Sequence, residues 1–154
     1  MLKKVDVLLI TLTSPILIGI YENNKLIKSI SSEKKSSDVL PLLFKEILAS
    51  YSVKNLFYAN GPGSFMAIKV AYIFLKSLSI LKKIPLFATD AFYFNNNEPI
   101  KAIGKLHFVK VASEIKTQKL EIVPESLFRL PDVLDYNEFS ITSTPLYMIG
   151  AVGQ

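Results

Sequence analysis

The sequence predicts an α/β fold in which a mixed sheet is built in the element order βββαβαβ and is followed by a reduced β-rich C-terminal lobe. Three observations predict it: strand-sized apolar segments open the chain, two apolar helices alternate with buried strands, and short alternating stretches follow residue 95. The 154 residues, 50% of them hydrophobic, suffice for one packed domain with an appendage. We therefore expect a first domain at residues 1–95 and a short lobe at residues 98–154.

The opening of the chain is rich in Val, Ile and Leu and predicts antiparallel strands at residues 5–12, 16–22 and 25–32. Asn23 and Asn24 separate the second and third strands, and Asn tolerates the positive φ of a two-residue hairpin turn. This stretch is not a signal peptide, because Asp6 and Pro15 interrupt it and no small-residue cleavage site follows. No run of roughly 20 apolar residues could cross a membrane, so we expect a cytoplasmic protein.

Two helices alternate with two further strands. The first helix is expected to extend to about Ser50, with Pro41 in its first turn and N-cap candidates at Ser36, Ser37 and Asp38. The next segments are a buried strand at residues 54–59, a helix at residues 64–81 and a short strand at residues 84–88. The tail beyond residue 98 is punctuated by Pro124, Pro131 and Pro145.

A glycine-rich turn, formed by Gly61, Pro62, Gly63 and Ser64, links the fourth strand to the second helix. The backbone N–H groups and the helix dipole at such a turn can receive a phosphate. Position 66 is Met, and no Gly-Lys-Ser/Thr follows, so neither the dinucleotide fingerprint nor the P-loop is present. We favour a structural turn with Ser64 as N-cap and keep an anion-binding turn as the alternative.

Few residues could carry catalysis. The absence of cysteine excludes thiolate chemistry, and a single histidine excludes a multi-histidine metal site. His107 alternates with apolar residues and is interpreted as a strand surface residue, because no acid lies near it in sequence to orient a general base. Ser64 has no identifiable base. On the first strand Asp6 comes too early to hold Mg²⁺ and Thr11 has no carboxylate, so we predict no catalytic and no metal-binding residue.

The net charge of +5 favours an anionic partner only weakly. All but one of the 18 cationic residues are lysines, which lack the planar fork of arginine, and they are scattered along the chain. Arg129 is the single arginine. Solvated surface lysines are therefore a better interpretation than a nucleic-acid patch. The aromatic rings of Phe57, Tyr58 and Phe65 are likewise assigned to the core rather than to base stacking.

The two helices are apolar on more than one face. On the second helix, Phe65, Ile68, Tyr72 and Leu75 are expected to meet the sheet, and a displaced stripe needs another partner. The C-terminal lobe could cover that stripe, but we favour a protein–protein interface. The predicted interface residues are Leu43, Ile47, Met66, Lys69, Val70 and Ile73.

Residues 61–80, GPGSFMAIKVAYIFLKSLSI, followed by IPLFATDAF at residues 84–92, resemble the GPGSFTGLRIG and PVVGVSSL blocks of the bacterial TsaB (YeaZ) family. SSDVLPLLFKEIL at residues 36–48 and TPLYM at residues 144–148 resemble two further blocks of that family. The resemblance covers residues 5–94 best. It implies the actin-like ATPase fold, which is RNase H-like, in a noncatalytic relative of the threonylcarbamoyl transferase TsaD.

The resemblance further implies a scaffold subunit that pairs with TsaD through its two helices. The ATPase TsaE joins, and the complex modifies the adenosine beside the anticodon of tRNA to threonylcarbamoyladenosine. No cofactor is expected on this chain, whereas ATP or ADP and Mg²⁺ would act in the assembled complex, which would also contact tRNA. Self-association of the isolated chain stays open.

The departures from the family blocks lead away from nucleotide chemistry. Thr11 stands in place of the family's Asp, Met66 and Ala67 in place of its Thr-Gly, and Lys69 in place of its Arg. Two alternatives from other classes are kept: an ATP-dependent transferase or glycoprotease-like peptidase, and a stand-alone RNA-binding module.

Overall fold

The computed structural model describes residues 1–122 and 127–147. Its elements are β1 (Lys3–Ile10), β2 (Ile16–Glu22), β3 (Lys25–Ser32), α1 (Ser36–Ser50), β4 (Tyr51–Ala59), α2 (Phe65–Lys82), β5 (Leu86–Thr89), β6 (Ile100–Ile103), β7 (Leu106–Val111) and β8 (Glu114–Lys119). The predicted order βββαβαβ is confirmed. Pro124, Met148 and the end of the predicted C-terminal lobe lie outside the described residues.

The main sheet has the strand order β3-β2-β1-β4-β5. β1, β2 and β3 pair antiparallel, whereas β4 is parallel to β1 and β5 is parallel to β4. Asn23 and Asn24 adopt φ values of 51° and 68° and form the predicted hairpin turn. The parallel strands require crossover connections, which α1 and α2 provide.

The sheet separates two hydrophobic layers. Val5, Val7 and Leu9 of β1 pack in the cluster that contains the buried residues of α1 and α2. Leu8 and Ile10 point to the opposite face and pack in the cluster that contains Leu134. Both helices therefore lie on one face of the sheet, and the chain beyond β5 covers the other face.

The C-terminal lobe has two parts. β6, β7 and β8 form a three-stranded antiparallel sheet, and Phe108 of β7 packs against Phe92. Residues 127–147, here called the C-terminal segment, run in largely irregular conformation across the main sheet. Backbone hydrogen bonds attach the segment to the sheet, from Leu134 N to Asn24 O (2.8 Å) and from Ala88 N to Ser140 O (2.9 Å). The predicted β-rich character thus applies to β6–β8, while the segment contributes only isolated bridges among the described residues.

The predicted start of α1 is wrong. Lys35 is the N-cap, no side chain caps the helix, and Ser36, Ser37 and Asp38 already lie in the first turn. The carbonyl of Lys35 accepts the N–H groups of Asp38 and Val39, so the helix begins one position earlier than a serine or aspartate cap would allow. Pro41 is consequently the sixth helical residue rather than part of the first turn.

β2 and β3 have the predicted bounds, whereas β1, β4 and β5 differ from the prediction by one to three residues at one or both ends. β1 ends at Ile10 rather than residue 12, because Thr11 turns toward α2. β4 begins at Tyr51, directly after α1 and three residues before the predicted start. β5 begins at Leu86 and ends at Thr89, where it pairs with the end of β4. The sequence pattern marks the apolar centre of a strand, whereas its ends depend on the neighbouring strand.

The predicted burial of two side chains is wrong: His107 was expected at the surface and is buried, and Phe65 was expected in the core and is exposed. His107 is 1% exposed, because β7 is the central strand of its sheet and pairs with β6 and β8 on both edges. Phe65 is 41% exposed and lies against Tyr147, with ring centroids 4.6 Å apart, rather than in the core. Phe57 and Tyr58 are buried as predicted.

Candidate functional site

Helix α2 is capped at both ends and packs on the sheet through one stripe of buried side chains. The Ser64 side chain accepts a hydrogen bond from Ala67 N (3.4 Å), as predicted for an N-cap, and Lys83 ends the helix in left-handed conformation. Ile68, Ala71 and Leu75 are buried against the sheet at positions i, i+3 and i+7. The opposite stripe therefore points away from the body of the molecule.

That opposite stripe carries large apolar side chains in contact with solvent. Met66, Ile73 and Ile80 are 61%, 54% and 67% exposed. Leu42 of α1 and Leu81 of α2 are exposed as well. We call the outer surface of α1 and α2, with these five side chains and Val70, the helical face.

The residues predicted for the interface occupy three kinds of position. Met66, Lys69 and Ile73 lie on the exposed surface of α2. Val70 and Leu43 are half-buried and also pack on the helix-facing core. Ile47 is 3% exposed and belongs to that core, so its side chain is inaccessible to a partner. Leu42, Ile80 and Leu81 are exposed on the same face but are not among the predicted residues, although continuing the helical spacing from Met66 and Ile73 reaches Ile80.

A groove of about 360 Å³ runs between the two helices. Its lining residues are Ser36, Ser37, Leu40, Pro41, Val70, Ile73, Phe74 and Ser77. Phe74 forms one wall and is held by an edge-to-face contact with Phe44, with centroids 5.2 Å apart. The groove therefore offers a concave, mainly apolar surface without a charged side chain in its lining.

The C-terminal lobe does not cover the helical face in the part of the chain that the structure describes. The buried core beneath α1 and α2 contains no residue later than Ala88, and the lobe packs in the two other clusters. Tyr147 reaches the first turn of α2 at Phe65. Among residues 1–122 and 127–147, the lobe thus leaves the surplus apolar surface of the helices open along most of its length.

The Gly61-Pro62-Gly63-Ser64 turn is packed beneath the C-terminal segment. Leu146 N donates to Asn60 O (2.8 Å), and Asn60 Nδ2 donates to Thr144 O (2.9 Å). Gly61 has φ +115°, and a Cβ there would lie 2.8 Å from the Leu146 carbonyl oxygen. Gly63 faces the Leu12 side chain. These contacts hold the turn against the C-terminal segment and leave little room beside Gly61.

Asp6 in the middle of β1 and Thr11 just after its end both form hydrogen bonds within the protein. Thr11 Oγ1 donates to the Ala67 carbonyl (3.2 Å). Asp6 points to the opposite face, where Asn55 Nδ2 donates to it at 2.9 Å and the Tyr136 hydroxyl also donates to it. Burial, followed by the Asp6 carboxylate, raises the pKa of Tyr136 to about 12. Within residues 1–122 and 127–147, no group of three or more His, Asp or Glu side chains could hold a metal ion.

A buried histidine and a second cavity lie outside the helical face. His107 Nδ1 lies 2.8 Å from the Lys105 carbonyl, and its Nε2 is buried without a hydrogen-bond partner among the described residues. A second cavity, of about 480 Å³, lies beside the C-terminal segment and includes Arg129, Glu98 and Asp132 in its lining. Neither brings a nucleophile together with a base, so the helical face is the better candidate.

No protein-family model and no curated protein matches the sequence. Among solved structures, the chain is similar to YeaZ from Pseudomonas aeruginosa (TM-score 0.54, 15% identity), with 76% of this chain and 65% of that chain covered. A crystal structure described as an uncharacterized protein with similarity to peptidase YeaZ from Pseudomonas aeruginosa gives a TM-score of 0.56 at 15% identity, covering 76% and 64%. The chain thus spans slightly less than two thirds of either.

These likenesses show the fold. The mixed five-stranded sheet with its two helices is the actin-like, RNase H-like fold of YeaZ, as expected from the sequence. Among the described residues, no helix has the length and apolar character needed to span a membrane.

Proposed function

We propose that this chain is a noncatalytic, TsaB-like scaffold subunit that binds a TsaD-like transferase through its helical face. The observation that carries the proposal is the exposed apolar stripe of Met66, Ile73 and Ile80 beside an apolar groove. Contiguous surfaces of this kind are uncommon on monomeric proteins and mark interaction sites. The YeaZ-like fold and the resemblance at residues 61–80 support the choice of partner.

In this proposal the chemistry occurs on the partner. Thr11 replaces the carboxylate of the family block, and Ser64 is used as a helix cap. The assembled complex, rather than this chain alone, would bind ATP or ADP, Mg²⁺, a TsaE-like ATPase and tRNA. The modification would be threonylcarbamoylation of the adenosine beside the anticodon.

The central test is replacement of Ile73 by Glu. Ile73 is about half exposed and lines the groove, so the charge should leave the isolated chain folded. In a complex the carboxylate would be buried in an apolar contact, which costs several kcal/mol without a counter-ion. We expect binding to the TsaD-like subunit of the same organism to weaken by about 100-fold or more, measured by calorimetry.

Ile103→Glu is the matched control. Ile103 is 61% exposed on β6, outside the helical face, and the same substitution there should leave binding unchanged. Thermal melting of both variants establishes that they are folded. A folded Ile73→Glu chain that binds the TsaD-like subunit like the wild type would refute the proposal. Loss of self-association alone would assign the face to a homodimer.

A further inference from the structure

The exposed stripe of α2 has the spacing of a helix-pairing surface. The apolar residues Met66, Val70, Ile73 and Ile80, with the small polar Ser77 between the last two, follow one another at intervals of four and three residues. This alternation is the heptad pattern by which one helix packs lengthwise against another. We call these five residues the seam.

Lysines flank the seam on one side. Lys69 and Lys76 immediately precede Val70 and Ser77, are seven residues apart and are both exposed. Side chains seven residues apart lie on nearly the same line along a helix. Helix α2 carries no acidic residue from Phe65 to Lys82. The two ion pairs found among the described residues involve other lysines, Lys105 and Lys110.

The positive charges beside the seam distinguish partner helices with a basic flank, which they repel, from those with an acidic flank, which they attract. In a lengthwise antiparallel pairing of α2 with a second copy of itself, the flank would face an identical flank and bring lysines together. Like charges opposed across an interface reduce affinity, whereas an acidic flank would be attracted and steered. The charge pattern therefore favours a partner helix of different sequence.

We propose that the seam receives a partner helix whose apolar ridge is accompanied by a row of Asp or Glu side chains facing Lys69 and Lys76. The inference rests on the proposed function, since it specifies the chemistry of the element that the TsaD-like subunit presents. Binding would bury the apolar side chains of the seam. The lysines would set the orientation of the partner helix and repel a partner helix with a basic flank.

The test compares two double variants of the full chain with equal change in net charge. Lys69→Glu/Lys76→Glu reverses the flank, whereas Lys28→Glu/Lys116→Glu reverses exposed lysines on β3 and β8. At low salt we expect the flank variant to bind the TsaD-like subunit about tenfold or more weakly than the control. The difference should nearly vanish at about 1 M NaCl, where screening acts within about 3 Å.

The outcomes separate this inference from the proposed function. If the wild type binds and the flank variant binds equally well at low salt, the acidic partner helix is refuted while the proposed function stands. Tighter binding by the flank variant would refute it too and indicate a basic partner. If the wild type does not bind the TsaD-like subunit at all, the proposed function fails and this inference fails with it.

Discussion

Gly61 occupies the most constrained backbone position in the turn between β4 and α2. Its φ of +115° is unfavourable for any residue with a Cβ, and the added atom would lie within 3 Å of Leu146 O and Ile68 Cδ1. Gly63 of the same turn lies outside the left-handed region, and the nearest atoms to a Cβ added there belong to the Leu12 side chain, the first at 3.1 Å. Backbone angles are not visible in a sequence, so the pattern identifies the turn but not its critical glycine.

We expect Gly61→Ala to lower the free energy of unfolding by about 2 kcal/mol or more, because it combines backbone strain with a backbone clash. Gly104→Ala is the control, since Gly104 has φ +57° with no atom within 4 Å of the added Cβ and should cost about 1 kcal/mol. Urea denaturation of both variants measures the difference. Equal losses would show that the contact with Leu146 has no energetic role.

Single residues also show what the sequence can predict. Asn23, Asn24 and Ser64 behave as predicted because a turn or a cap depends on the residue itself and its near neighbours. His107 does not, because its burial depends on two strands and packing that local alternation cannot reveal. Ile47 likewise counts as apolar surplus in the sequence yet belongs to the core.

At the level of elements, α2 combines two apolar stripes with a serine cap. The pattern predicts both stripes, and the structure assigns Ile68 and Leu75 to the core and Met66 and Ile73 to the surface. Phe65 was assigned to the wrong stripe, because its position in the first turn brings it to Tyr147, 82 residues later, outside any local pattern.

We expect Ser64→Ala to reduce stability by about 1 kcal/mol, because Ala67 N loses its acceptor, whereas Ser64→Asp should retain the cap. Thermal melting compares the variants.

Ser64→Ala also tests the alternative interpretation that the chain is an enzyme. Peptide cleavage or ATP hydrolysis by the purified chain that disappears in Ser64→Ala would contradict a purely structural serine.

At the scale of the whole molecule, three tyrosine hydroxyls join the main sheet to the C-terminal segment. Tyr21 donates to Pro131 O (2.7 Å), Tyr58 donates to Ser143 O, and Tyr136 of the segment donates to Asp6 of β1. The joined residues are 85 to 130 positions apart in the chain. The sequence shows no periodicity for such long-range contacts, which is why the path of the segment could not be predicted, although the order of helices and strands along the first domain could.

These contacts predict an alkaline limit to stability. Burial raises the pKa of Tyr21 and Tyr58 above the usual value near 10, and burial together with Asp6 raises that of Tyr136 to about 12. Between these values the unfolded chain has lost phenol protons that the folded chain retains, so unfolding becomes more favourable as pH rises. The stabilisation is therefore complete below pH about 10 and declines as pH approaches the folded pKa values.

We expect Tyr136→Phe to lower the free energy of unfolding at neutral pH by about 1 to 2 kcal/mol, because Asp6 loses a donor, and to reduce the further loss above pH about 10. Tyr93→Phe serves as the neutral-pH control, since no hydrogen bond of the Tyr93 hydroxyl is present among the described contacts and its removal should cost little. Denaturant unfolding followed by circular dichroism from neutral to alkaline pH measures both effects. If the free energy of unfolding of Tyr136→Phe falls above pH about 10 as steeply as that of the wild type, groups other than Tyr136 cause the alkaline unfolding. If Tyr136→Phe and Tyr93→Phe lose the same free energy of unfolding at neutral pH, the hydrogen bond to Asp6 does not hold the segment to the sheet.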